Sequence, residues 1–350
     1  MAVLDVIVAP ALATSALIGL QSHLLDAVVT RQTAPVALIY TSPARGISIG
    51  RYHLYAGSAE QRGIGAYRRL TGGRVVGSGE GWLGFALILP SRTALLKEDA
   101  SRLKPDQVMN RYTRGLLKGL RALGLDCFYP GRDAITFERR ELAMCSFETD
   151  PSGAMLFEAM LAVNRGMENL VHDLESIDPD GVLPCAMYTS DSATTLAREL
   201  KRTVAFDELA DAIADGYEGL LGETRRRELT ALETADASRR ALVASGWLND
   251  RVRTAPQAGT IKKNRIAAQL GAIEAAVAVE SDDTIAAITL SGDFIANSSA
   301  IAELEKELIG KRLDLGSVSH AVTKIYAHGE NFFLGAGELS NLVRLIAGVN

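Results

Sequence analysis

The residue types best suited to chemistry lie between residues 67 and 76, where three arginines flank a pair of glycines. Gly72 and Gly73 carry no side chain, so this part of the backbone can approach a ligand closely and present successive N–H groups to it. The guanidinium groups, which can bind phosphate or carboxylate oxygens in a bidentate manner, belong to Arg68, Arg69 and Arg74. The stretch therefore predicts an anion-binding site. Because Thr-Gly-Gly is also common in ordinary turns, spacing alone favours a hairpin turn.

A different chemistry would use Cys145 as a nucleophile. A cysteine thiol becomes nucleophilic when a nearby base or positive charge lowers its pKa. The sequence does not place His53 or His172 beside Cys145, and a cysteine within the run LAMCSF is more typical of a small buried residue. We therefore interpret Cys145 mainly as a core residue and keep the nucleophile as an alternative.

Composition and charge argue against several classes of function. The formal net charge of −5 argues against a general nucleic-acid-binding protein, which would carry a basic surface for the phosphates. The three cysteines have no CxxC spacing, so they indicate neither a disulfide framework nor a zinc site, and we predict a cytoplasmic protein. The apolar N-terminus lacks Lys and Arg and is interrupted by Pro10, so it predicts neither a signal peptide nor a membrane segment.

The elements that must position these residues follow from the spacing of apolar side chains. Residues 16–29 and a segment that opens at Pro105 have apolar residues at three- and four-residue spacing, which predicts helices. The runs VALIYTS and GISIGRYHLY predict two strands paired through a turn, and the apolar run at 84–89 predicts a strand buried on both faces. The cluster Arg225-Arg226-Arg227, with acids on both sides, predicts a solvent-facing helix.

A change of composition marks a domain boundary. Because single cores stop growing beyond about 250 residues, a chain of 350 residues predicts two domains. Apolar periodicity fails between residues 249 and 268, so we predict a first domain at 1–248, a linker at 249–268 and a second domain at 269–350. In the second domain, AIEAAVAVE and TIAAITLSGDF bracket a short polar segment and predict a β-hairpin.

Several stretches resemble one protein family. RRLTGGRVV is similar to the Arg-Arg-x-Ser/Thr-Gly-Gly-Gly-x-Val signature of the lipoate-protein ligase and octanoyltransferase family, and IGRYH resembles the Ile-Gly-Arg-Phe/Tyr-Gln of that family. Further along, PGRDAITF resembles the Gly-Arg-Asn-Asp segment of the family. GAIEAAVAV, LSGDF and IAELEKELIGKRL resemble the accessory domain of the ligases. The resemblance covers nearly all of the chain.

The resemblance implies an α+β fold, with a class II synthetase-like mixed sheet flanked by helices and a small C-terminal α/β accessory domain. It also implies that ATP, with Mg²⁺, activates lipoate or octanoate as an acyl-adenylate. The acyl group would then pass to a lysine of a carrier, either a lipoyl domain or a glycine-cleavage H-like protein. The implied ligand-binding residues, in which Val75 and Val76 would line the acyl channel, are Arg68, Arg69, Thr71, Gly72, Gly73, Arg74, Val75, Val76 and Asp133.

The chain departs from the family at the position that matters most for activity. Glu141 falls where the family has its catalytic lysine, and a carboxylate reverses the local charge. Met144 falls on a glycine of the same stretch. The departures leave alternatives to a ligase: a catalytically impaired homologue that binds lipoate or its carrier, and an octanoyltransferase acting through Cys145. The accessory domain argues against the last, because dedicated transferases of the family generally lack it.

Overall fold

The structure, a computed structural model, describes residues 3–55, 60–61, 63–94, 103–177, 191–218, 220–248 and 260–349. The N-terminal part contains, in chain order, β1 (Val3–Ala9), α1 (Thr14–Val29), β2 (Val36–Tyr40), β3 (Gly46–Ile49), β4 (Glu60–Gln61), β5 (Ile64–Arg68), β6 (Val76–Ser78), β7 (Trp82–Leu89), α2 (Pro105–Ala122), β8 (Ala134–Phe137), β9 (Arg140–Thr149), β10 (Met155–Ala162), α3 (Leu170–Ile177), α4 (Leu196–Leu200), α5 (Phe206–Tyr217), β11 (Glu223–Arg227) and α6 (Ala231–Leu248). The C-terminal part contains β12 (Thr260–Ala267), β13 (Ala272–Val279), β14 (Ile285–Gly292), β15 (Ile295–Ala296), α7 (Ser298–Leu308), α8 (Leu315–Tyr326), β16 (Phe333–Leu334) and α9 (Leu339–Ala347).

The large sheet has seven strands in the order β11-β1-β2-β7-β10-β9-β8. Strand β1 is parallel to both of its neighbours, and the remaining pairs are antiparallel. One face is covered by α2 and α5 and the other by α1, so each face has its own core. Because side chains alternate along a strand, Cys145 on β9 enters the α2 core and its neighbour Met144 enters the α1 core. The predicted mixed sheet flanked by helices is confirmed.

A second, smaller sheet contains strands that end or begin within the IGRYH and RRLTGGRVV stretches. Its strand order is β4-β5-β3-β6, with β3 parallel to β5 and antiparallel to β6. The predicted pairing of VALIYTS with GISIGRYHLY is therefore wrong. Strand β2 pairs with β1 and β7 in the large sheet, and the chain between β2 and β3 passes from one sheet to the other.

The arginine cluster is also different from its prediction, because it forms edge strand β11 instead of a helix. The reason lies far away in sequence: Asp5 on β1 is buried, and it accepts hydrogen bonds from Arg225 at 2.9 Å and Arg227 at 2.8 Å. Pairing with β1 and these two ion pairs outweigh the local helical preference. Among the described residues, no helix is both long and apolar enough to cross a bilayer.

The C-terminal part has its own core beneath an antiparallel sheet of β12, β13 and β14, covered by α7, α8 and α9. The predicted hairpin is confirmed as β13 and β14, with Asp283 in the turn at a φ of 62°. Residues 249–259 of the predicted linker lie outside the described residues, and residues 260–267 form β12. The small C-terminal domain expected from the sequence is present.

Candidate functional site

The two glycines of the motif contact the C-terminal part of the chain. The Gly73 N–H donates a hydrogen bond of 2.6 Å to the Phe294 carbonyl, which follows β14. A Cβ atom added to Gly72 would lie 2.4 Å from the same carbonyl oxygen and 2.9 Å from the Tyr52 ring. The glycine at position 72 is therefore required by close packing between the two parts of the chain.

Aromatic rings and buried charged groups also join the N-terminal and C-terminal parts next to the glycine turn. Tyr52, in the IGRYH stretch, stacks on Phe294 with ring centroids 4.4 Å apart and donates a hydrogen bond to the Ala296 carbonyl at 2.7 Å. His53 Nε2 lies 3.0 Å from an Asp293 carboxylate oxygen, and neither side chain is exposed. IGRYH and LSGDF, two stretches that resemble separate parts of the family sequence, are thus in contact with each other.

Glu148, at the end of β9, joins the same interface. Its carboxylate accepts the Ser298 N–H at 2.7 Å, at the N-terminus of α7, where the helix dipole favours a negative charge. Burial nevertheless raises the pKa of Glu148 from 4.5 to about 7, against the opposing effects of the Arg51 charge and the Ser298 hydrogen bond. The folded protein thus favours the neutral form of Glu148 more than the unfolded chain does.

This pKa predicts a pH-dependent stability. The folded pKa exceeds the unfolded one, so the contribution of Glu148 is present below about pH 4.5 and is lost as the pH rises through about 7. Relative to Glu148→Gln, the wild type should lose about 3 kcal/mol of unfolding free energy between about pH 4.5 and 8. Urea unfolding of both proteins at a series of pH values measures this, and parallel pH curves would contradict it.

Two of the three motif arginines bind the protein's own backbone. Arg68 is 1% exposed and donates to the carbonyls of residues 50, 51 and 53. Arg69 is 2% exposed and donates to the carbonyls of Gly72 at 2.6 Å, Arg74 at 2.7 Å and Ser48 at 3.2 Å. Both guanidinium groups thus hold the backbone of the turn, and the phosphate or carboxylate contacts that the sequence predicted for them stay a prediction.

A buried acid supports this turn from the large sheet. Glu158, on β10, accepts hydrogen bonds from the Thr71 hydroxyl and the Gln21 amide, each at 2.7 Å. Burial raises the pKa of Glu158, while these donors favour its ionised form. On β9, Ser146 donates to the Gly72 carbonyl at 2.8 Å. Thr71 is therefore tied to β10 and Gly72 to β9.

The third arginine has carboxylate partners. Arg74 is 5% exposed, and its Nε and Nη2 donate to the two oxygens of Asp133 at 2.7 and 2.9 Å. Its Nη1 donates to Glu141 at 3.0 Å. The side chains of Asp133 and Glu141 are 3% and 26% exposed. One guanidinium group thus joins two carboxylates, and the three groups carry a formal charge of −1.

Glu141 is held in this place by its own backbone. It lies near the start of β9, where its N–H donates to the Ser192 carbonyl and its carbonyl accepts the Thr194 N–H. Burial raises the pKa of Glu141, and the Arg74 charge acts in the opposite direction. The carboxylate that the sequence comparison expects at the position of the family lysine therefore has a cation as its immediate neighbour.

The structure does not bring every predicted residue to this place. Cys145 is fully buried on the opposite face of the large sheet, and burial raises the pKa of its thiol, which disfavours a thiolate. Val75 and Val76 are buried in the α1 core. Neither valine lines the cavity of about 250 Å³ near the ends of β2 and β10, whose walls include Thr41, Pro43, Trp82, Val163, Val204 and Phe206.

Sequence reasoning missed several residues that complete the site. Glu158 had a usable signal, because a single acid inside the apolar run MLFEAMLA must find a buried partner. Ser146, Glu148 and Phe294 had no such signal, since their roles depend on contacts between distant segments. Among the described residues, no three His, Cys, Asp or Glu side chains are grouped as metal ligands.

Comparisons with known proteins cover both parts of the chain. A model of the lipoyl protein ligase A/B catalytic domain matches residues 16–218, and a model of the bacterial lipoate protein ligase C-terminus matches residues 256–346. No curated protein sequence matches the chain.

Solved structures share the fold at low sequence identity. P. falciparum LipL1, solved in complex with lipoate, has a TM-score of 0.66 at 13% identity, covering 92% of this chain and 94% of that protein. A lipoate-protein ligase A bound with ATP has a TM-score of 0.52 at 17% identity, covering 72% and 99%. The T. acidophilum protein Ta0514, with bound lipoic acid, has a TM-score of 0.51 at 17% identity, covering 71% and 100%. At these identities the likeness concerns the fold alone.

Proposed function

Because the chain belongs to the lipoyl protein ligase A/B family, we propose that it activates lipoate or octanoate with ATP and transfers the acyl group to a lysine of a lipoyl carrier protein. In this proposal residues 1–248 form the catalytic domain and residues 269–350 the accessory domain. The carrier is a lipoyl domain or a glycine-cleavage H-like protein, and the reaction takes place in the cytoplasm.

The observation that carries this proposal is the convergence of the motif residues on one place. Thr71, Gly72 and Arg74 precede β6; Gly72 and Arg74 lie against Asp133 and β9, and Thr71 contacts β10 of the large sheet. The attack of a carboxylate on a triphosphate brings anions together, so it requires cations and N–H groups that offset their repulsion. Arg74 is the motif arginine whose described partners include side-chain anions.

The two carboxylates do not fit the Mg²⁺ that the family implies. In phosphate chemistry Mg²⁺ is commonly held by one or two carboxylates together with the substrate phosphates. Here Arg74 already donates to both oxygens of Asp133 and to one oxygen of Glu141, so its guanidinium group would repel a second cation beside them. Arg74 would therefore contact the anion directly, without a magnesium ion held by these two acids.

A second candidate function is favoured by Glu141. The formal charge of −1 on Arg74, Asp133 and Glu141 together offers a triphosphate no net attraction. On this observation the chain is a homologue that binds the acyl group or the carrier without forming an adenylate. No corresponding observation favours transfer through Cys145, which lies on the other face of the sheet.

Lipoate-dependent exchange of pyrophosphate into ATP tests the first candidate. We expect exchange above the background without lipoate, and a fall of at least about tenfold in Arg74→Lys, because an ammonium group cannot reproduce the guanidinium contacts. Lys262→Ala, which alters an exposed cation in the C-terminal part, is the control. Binding of lipoate or of a lipoyl domain without exchange would support the second candidate. Absence of both binding and exchange would refute the proposed function.

A further inference from the structure

The arginines of the motif differ in what they would lose if they moved. Withdrawing Arg68 or Arg69 would leave several buried carbonyls without their donors, which costs free energy for each group. Arg74 instead contacts two carboxylates through different nitrogen atoms. These two carboxylates can therefore be exchanged separately.

The two carboxylates differ in their access to water. Asp133 is 3% exposed and holds two nitrogen atoms of Arg74, so its separation from the guanidinium would leave a buried charge. Glu141 is 26% exposed and contacts one nitrogen, Nη1. A carboxylate with this exposure can regain water when it turns away. Glu141 is thus the partner that is easier to displace.

We propose that Glu141 is a displaceable counter-ion: an anionic group of the ligand replaces it on Nη1 of Arg74, while Asp133 keeps the guanidinium oriented. The anion is the carboxylate of the acyl acid or a phosphate of the nucleotide, which share this chemistry. The inference rests on the proposed function, since it describes how the same site accepts its ligand. It makes Glu141 an intramolecular competitor of the ligand.

A competitor of this kind predicts how affinity responds to charge. Removing the Glu141 charge leaves Arg74 oriented by Asp133 and removes the anion that competes with the ligand for Nη1. Protonating Glu141 has the same effect, so affinity should rise as the pH falls. The charged groups that face Glu141 are Arg74, Asp133 and Arg132, and the segment paired with its backbone contributes Ser192 and Thr194. Neither of those two residues has a titratable side chain.

Calorimetric titration of the full chain with lipoate and, separately, with ATP and Mg²⁺ tests the inference. Glu141→Gln should bind at least one of these probes about tenfold more tightly than the wild type, as expected when one charge-assisted contact no longer competes. The probe that responds identifies the anion as carboxylate or phosphate. A rise in affinity for lipoate as the pH falls, over the range in which lipoate stays ionised, should be present in the wild type and absent in Glu141→Gln.

Two further variants test whether the effect depends on the position and the charge of Glu141. Glu138→Gln removes an acid that is 71% exposed and pairs with Arg140 in the same hairpin, so its affinity should match the wild type. Glu141→Asp keeps the charge but shortens its reach, so it should bind more tightly and retain the pH dependence. Binding that is unchanged or weaker in both Glu141 variants overturns the inference and leaves the proposed function standing. No saturable binding of either probe by any variant overturns both.

Discussion

Arg74→Ala is expected to destabilise the protein by about 3–5 kcal/mol at neutral pH, the range found when one partner of a buried ion pair is removed. Asp133 would keep its charge at 3% exposure without the two hydrogen bonds that Arg74 donates. Glu141 would lose a neighbouring cation in a place where burial already disfavours its ionised form. The loss of stability arises mainly because the two acids are left without their cation, and less because the attraction between the charges is removed. Urea unfolding followed by circular dichroism measures it.

A matched control separates this effect from the general loss of an arginine. Arg121 pairs with Asp126 at 2.8 Å at the end of α2, where both side chains are mostly exposed, and Arg121→Ala should leave the unfolding midpoint almost unchanged. The double variant Arg74→Ala with Asp133→Ala should recover part of the lost stability, because it removes the buried charge together with its partner. Equal effects of Arg74→Ala and Arg121→Ala would show that the buried cluster contributes nothing particular.

Phe294→Ala is expected to lower stability by about 3–5 kcal/mol, the usual cost of emptying a buried phenylalanine site. The ring is fully buried and stacks between Tyr52 of the N-terminal part and Phe333 of the C-terminal part, with centroids 4.4 and 4.6 Å away. The carbonyl of the same residue accepts the Gly73 N–H. Removal of the Phe294 ring should therefore weaken both the C-terminal core and the coupling between the two parts of the chain.

Calorimetry distinguishes these two effects. The wild type should unfold in one transition, and Phe294→Ala should show two, because the parts no longer unfold together. Leu304→Ala is the control: Leu304 is fully buried in the C-terminal core, so its removal lowers stability without touching the N-terminal part. Identical heat-capacity profiles for the two variants would mean that Phe294 has no special role in the coupling.

Elements with strong local patterns could be predicted from the sequence. The apolar stripe of residues 16–29 gave helix α1 at Thr14–Val29, and Pro105 is the first residue of helix α2. The apolar residues of a helix recur every three or four positions on its buried face, so a short stretch of sequence is enough to predict it. Strand β11 was predicted wrongly because its partners, strand β1 and Asp5, lie more than two hundred residues away. Pairing across such distances leaves no periodic signal.

The sequence predicted several residues of the site, but it did not predict the contacts between them. Arg74, Asp133 and Glu141 were all named as candidates, and the structure brings them together. Their pairing with each other was not foreseen, because the partners are separated by 59 and 67 positions. The hydrogen bonds of Arg68 and Arg69 to backbone carbonyls were likewise not foreseen.

By itself, the sequence determined the family, the mixture of helices and strands, and the presence of a cation-rich glycine turn, since these depend on residue types and short-range spacing. Only the tertiary structure decided which charges are neutralised, which arginine faces side-chain anions, and that Phe294 covers the turn. The physical reason is that the energy of a charge depends on its burial and its partners. Both are set by segments that meet only in the folded chain.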